Sequence, residues 1–186
     1  MAPTTEEIIN IIQNYDGMIK VLNKRIKDIE YEYQNLEQNL YKYTSYKSTT
    51  YGSTGNKGFN HDLSDILKTI DQRGQEYSLE LKDTLSDLIF QIDKIRRVHL
   101  CYMVLPYEQH ELLRILYEKN VTWGRASIEL DVSISTLSRK RTKAIFMIKT
   151  ACGSDLSNIE ILGLQKLKKG ITWDKLMQKE KICKKQ

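Results

Sequence analysis

An all-α fold is what this sequence predicts, on three observations. The composition favours helices: Leu, Ile, Lys and Glu dominate, while 186 residues hold only two prolines, three phenylalanines and nine glycines. Apolar residues recur at steps of three and four along two stretches of about 40 residues each. Residues 122–144, TWGRASIELDVSISTLSRKRTKA, then read as two short helices joined by a turn. The expected architecture is a long antiparallel helical hairpin, coiled-coil-like, over 1–104. A helix-turn-helix follows at 105–150, and short helices with a basic tail occupy 151–186.

The first long helix is justified by Ile8, Ile12, Tyr15, Ile19, Leu22, Ile26, Ile29, Tyr33, Leu36, Leu40 and Tyr43, which alternate steps of four and three without a break. That is the period of a coiled coil, kept for about five heptads. Thr4 or Thr5 can cap its start, and Glu6 and Glu7 complement the positive end of the helix dipole. Residues 44–61, TSYKSTTYGSTGNKGFNH, carry no apolar period and read as a flexible tip. The GSTGNKG portion is no phosphate loop, because Gly58 follows Lys57 where Ser or Thr is needed.

The second long helix rests on Leu63, Leu67, Ile70, Gly74, Tyr77 and Leu81, continued by Leu85, Leu88, Ile92, Ile95, His99 and Tyr102. The four-residue step at Leu81 to Leu85 is a stutter that locally unwinds a supercoil. Ile9, Ile11, Met18, Val21, Ile66 and Ile89 make the apolar stripe too wide for two helices alone. A second copy of the chain is the simplest cover, so a homodimer through the N-terminal helices is expected.

Pro106 ends the second helix and suits the start of the next, 107–118, whose buried face is Leu112, Leu113 and Leu116. Asn120 breaks that helix, and Thr122 is a candidate N-cap for 123–130. There Ala126, between Trp123 and Leu130, is small enough for a close helix crossing. Asp131 stands where the turn wants a left-handed conformation, which Asp tolerates. Val132 can plug the core and Ser133 can cap the following helix. Leu137, Ala144 and Ile148 share its buried face; at 100° per residue Ser135, Arg139 and Thr142 lie opposite, flanked by Ser138 and Lys143.

Charge is unevenly spread. Residues 1–105 hold 13 Lys and Arg against 15 Asp and Glu, whereas 106–186 hold 16 against 9. A basic C-terminal part suits a polyanion, since Lys and Arg release counterions on meeting phosphate. Arg139, Lys140, Arg141 and Lys143 follow the turn with no acid among them. Short hydroxyls near a helix start, with Arg one turn on, are residue types that reach base edges and phosphates in a major groove. The expected partner is double-stranded DNA.

Residues 105–148 resemble region four of bacterial sigma factors and its relatives among phage and prophage late-gene activators of the ArpU and RinA type. The likeness rests on the Leu105-Pro106 opening, the bend from Tyr117 to Trp123, and Leu130, Val132, Ser133, Ser135, Thr136, Leu137, Ser138, Arg139 and Ala144. It departs at Arg125, Asp131 and Arg141, where Glu, Gly and an apolar or acidic residue are common. The resemblance implies that Ser135, Thr136, Ser138, Arg139 and Lys143 face DNA and that RNA polymerase is a further partner. No promoter-melting region two is legible in the N-terminal half, so an accessory activator fits better than a complete sigma factor.

The residues expected to contact DNA are therefore Thr122, Arg125, Ser133, Ser135, Thr136, Ser138, Arg139, Lys140, Thr142 and Lys143. After Gly153, Ser154, Asp155 and Ser157 are capping candidates for a short helix. Trp173, Leu176 and Met177 are expected to pack, and Lys179, Lys181, Lys184 and Lys185 to touch phosphate. His61, His99 and His110 are dispersed, and no catalytic set, metal site or cofactor is expected. Cys101, Cys152 and Cys183 imply no disulfide framework. MAPTTEEIIN lacks the marks of a signal peptide and no run suits a membrane span, so a cytoplasmic chain with no membrane partner is expected. Two other readings share these features: a small-terminase-like DNA-packaging protein, and a protein-interaction module that meets an acidic partner.

Overall fold

The computed structural model describes residues 3–36, 38 and 63–166. All regular elements among these are helical: α1 (Thr5–Gln34), α2 (Leu63–Met103), α3 (Tyr107–Leu113) with a π-helical continuation (Arg114–Glu118), α4 (Trp123–Glu129), α5 (Ile134–Gly153) and α6 (Asn158–Lys166). The all-α class is thus observed. The expected tip at 44–61, Leu40, Tyr43, Cys183 and the tail residues from Trp173 to Lys185 lie outside the described residues. No helix among the described residues is long and apolar enough to cross a membrane.

The start of α1 is closed by a reciprocal capping box. Glu7 N donates to Thr4 Oγ1 (3.1 Å) and Thr4 N donates to Glu7 Oε2 (2.8 Å). The apolar period runs on without a break, but the helix does not: Asn14 leaves helical geometry at φ −126°, ψ 17°. Asn is poor in a helix interior because its amide competes for local bonds, and here Asn14 Nδ2 donates to Asn10 Oδ1 one turn back (2.8 Å).

The chain forms two compact units, Met1–Ile19 with Ile92–Gln186, and Lys20–Gln91. The unit that holds α5 therefore takes in both ends of the segment read from sequence as an N-terminal hairpin. Its packing explains why: Ile8, Ile11 and Ile12 of α1 and Ile92, Ile95 and Val98 of α2 are buried with the C-terminal helices' apolar residues. Lys149 Nζ of α5 donates to Thr5 Oγ1 (2.8 Å), and Lys94 pairs with Glu7 (3.0 Å). Tyr15 stacks on His99, ring centroids 3.7 Å apart, and Tyr102 stacks on His110 at 4.6 Å. The hydroxyl of Tyr102, fully buried, donates to Glu118 Oε1 (2.9 Å).

In the other unit Leu22, Leu81 and Leu88 are buried, the Tyr77 hydroxyl donates to Glu32, and Lys82 lies over the Tyr33 ring. Ile29, Tyr33, Leu81 and Leu85 line a groove of about 360 Å³. Val21, Tyr31, Leu79, Ile89 and Phe90 are exposed.

Burial holds the His99 imidazole below its ordinary pKa of 6.5, against the pull of Asp16 and Glu118 and with a small push from His110. The unfolded chain then binds this proton more readily than the folded one. His99 contributes stability that is complete above about pH 6.5 and is lost as pH falls below it. Melting temperature should drop between about pH 7 and pH 5, and H99Q should flatten that slope. Glu7, Glu111 and Glu160, all held below their ordinary 4.5, act only at lower pH. An unaltered slope in H99Q would contradict the assignment.

Candidate nucleic-acid interface

The candidate surface begins with the segment that supports it. Pro106, extended at φ −56°, ψ 145°, precedes α3, and its carbonyl accepts from Gln109 N and His110 N (3.0 Å each). From Arg114 the helix widens, with Lys119 N donating to Arg114 O (3.0 Å), so the expected single α-helix over 107–118 is half π-helical. Leu112, Leu113, Ile115 and Leu116 are all buried through this change of pitch. Asn120, at φ 54°, ends it in the left-handed region that Asn tolerates.

Thr122 is extended at φ −64°, ψ 151° and takes the N-cap place of α4, although its side chain makes no capping bond. Ala126 has no exposed surface, as a close crossing requires. Asp131 adopts φ 49°, the left-handed conformation expected of it. Around it Val132 N donates to Ser127 O (3.0 Å) and Asp131 N donates to Ile128 O (3.2 Å), the two bonds of a Schellman motif. Ser127 Oγ then donates to Val132 O (2.5 Å), which secures the residue before the next cap.

Ser133 caps α5: its Oγ accepts from Thr136 N (3.2 Å), donates to Thr136 Oγ1 (2.9 Å) and lies 3.0 Å from Ser135 Oγ. Leu137, Ala144 and Ile148 have no exposed surface. Ser135, Ser138, Arg139, Thr142 and Lys143 are exposed on the other side. Thr142 Oγ1 donates back to Ser138 O (3.0 Å). At its far end α5 is held by Arg97 of α2, whose guanidinium donates to Cys152 O (3.0 Å), Ser154 O (2.7 Å) and Asn158 Oδ1 (3.1 Å). A cation on the last carbonyls suits the negative end of the helix dipole.

The basic run divides into two kinds of residue. Arg141 is turned inward: its Nε donates to the Tyr117 hydroxyl, and its guanidinium lies 5.8 Å from the Tyr117 ring centroid and 5.9 Å from that of Trp123. Lys140, half-buried, sits 3.6 Å from Glu108. Arg139 and Lys143, with Arg125 on α4, are exposed and have no hydrogen-bond or ion-pair partner among the described residues. Thr136 is half-buried and occupied by the Ser133 cap, while Thr122, Arg125 and Ser133 are exposed. Sequence reasoning passed over Glu108, which partly neutralises Lys140, and Arg97, whose partners lie 55 to 61 residues away. Neither leaves a local signal.

Cys101 is a buried free thiol and Cys152 a half-buried one. The neighbouring Cys101 thiol, with burial, pushes the Cys152 thiol up, so it stays protonated. Among the described residues no three His, Cys, Asp or Glu side chains are grouped to hold a metal ion. Comparison of the chain with protein-family models, with curated proteins and with solved structures returns no match.

The split within the basic run has a measurable consequence. Arg141→Ala should lower unfolding free energy by about 1–2 kcal/mol, through loss of two cation–π contacts and a hydrogen bond. Arg139→Ala should change it by less than about 0.5 kcal/mol, as an exposed substitution does. Urea denaturation of both variants checks this, and equal destabilisation would contradict the division.

Proposed function

We propose that this chain is a sequence-specific DNA-binding transcriptional regulator of the phage or prophage late-gene kind, in which α4 and α5 act as a helix-turn-helix and α5 enters the major groove. The observation that carries the reading is the two-sidedness of α5. One side, Leu137, Ala144 and Ile148, is wholly buried. The other presents Ser135, Arg139 and Thr142 beside Lys143, and no acid occurs anywhere in Ile134–Gly153.

The helix starts support it further. α1 and α6 are closed by Thr4–Glu7 and Ser157–Glu160 boxes, each with a carboxylate at the third position. α5 uses Thr136 there instead, so its start carries no negative charge to repel a phosphate.

Two copies join through α1 and α2, which form an antiparallel hairpin in this reading. Exposed Val21, Leu79, Ile89 and Phe90 favour that role, because a lone pair of helices leaves them in water. Each copy then reads one half-site, about 34 Å from the other. Resemblance to sigma region four adds RNA polymerase as a partner in the cytoplasm.

In vitro selection of duplexes with the full chain, followed by titration at several salt concentrations, tests the proposal. Affinity for the selected site should fall steeply with salt, and Arg139→Ala should weaken it by about 1–3 kcal/mol. Lys143→Ala should reduce the salt slope by about one while affecting all sequences alike. Unchanged affinity in Arg139→Ala would contradict the placement of the groove face. Sedimentation should give a dimer; a ring of many subunits would favour DNA packaging.

A further inference from the structure

Ile134 is the first residue of α5 and is 55 % exposed. Its surroundings in sequence are hydroxylic: Ser133 before it, Ser135 after it and Ser138 one turn on, with Arg139 next. Isolated exposed apolar residues are common on proteins. What separates this one is its place at the tip of the basic helix, as the first residue of α5.

The buried side of α5 is made by Leu137, Ala144 and Ile148. The apolar positions that flank the Ser133 cap, one before it and one on the fourth helical residue, are held by Val132 and Leu137. A β-branched side chain brings no helix propensity to a first turn either.

A recognition helix meets base edges with its N-terminal residues, so the tip side chains go deepest. Base edges in the major groove offer hydrogen-bond donors, acceptors and one apolar group, the C5 methyl of thymine. An isoleucine cannot satisfy a donor or an acceptor, but it can bury that methyl.

We infer that Ile134 is a specificity-determining residue that packs against a thymine C5 methyl, so that each half-site carries a thymine beside the base pair read by Ser135 and Arg139. This inference rests on the proposed groove-facing role of α5.

The test takes a duplex selected in vitro with the full chain and replaces its thymines one at a time by uracil, which removes the methyl and leaves pairing unchanged. At one thymine per half-site, wild type should lose affinity about fourfold, the factor for one buried methyl group. I134S should bind thymine and uracil versions equally while keeping its dependence on Arg139. Equal binding of every uracil duplex by wild type would overturn the inference and leave the DNA-binding reading standing. A uracil penalty kept in full by I134S would also overturn it, since another residue would then read the methyl. Failure to select or bind any duplex would overturn the DNA-binding reading and this inference with it.

Discussion

Burial of Leu137, Ala144 and Ile148, none of which has any exposed surface, decides which way α5 faces. Rotating the helix by one residue would bring apolar side chains into water at about 1.5–3 kcal/mol each. Whole domains are stable by only about 5–15 kcal/mol, so such a rotation would consume much of that margin. Position along the axis is set at both ends: Ser133 closes the start through Thr136, and Arg97 holds the last carbonyls. Ser135, Arg139 and Thr142 therefore stand on a fixed line along the exposed side of α5.

Within this frame the charges have separate tasks. Lys140 and Arg141 directly follow Arg139 in sequence, yet they face Glu108 and the Tyr117–Trp123 pair. The 100° step between helical neighbours is the reason, because it turns consecutive residues toward different surroundings. Reading RKR as one basic patch overstates the free charge; Arg139 and Lys143 are what the solvent-facing side keeps.

How much was legible follows from how local each feature is. Asp131 at φ 49°, the Ser133 cap and the buried set Leu137, Ala144 and Ile148 depend on residues within one or two turns, and the spacing alone predicts them. The break at Asn14 and the π-helical turn at Arg114–Glu118 interrupt runs whose apolar period is unbroken, so periodicity is blind to both. The Arg97 clamp and the Lys140–Glu108 pair join residues distant in sequence, and no spacing rule reaches them. The heptad pattern of α1 and α2 likewise marks amphipathic helices without revealing that their ends, through Ile8, Ile12, Ile92 and Ile95, belong to the same compact unit as α5.

The proposed DNA recognition depends on α5 presenting its polar side to a duplex. Titration of the isotopically labelled full chain with a selected duplex, followed by amide chemical shifts, tests this most directly. The shift changes should concentrate at Thr122, Arg125 and the residues from Ser133 to Lys143, with Leu137 affected less than Ser135 and Arg139. Changes centred on the helices of Lys20–Gln91, with α5 unperturbed, would contradict it.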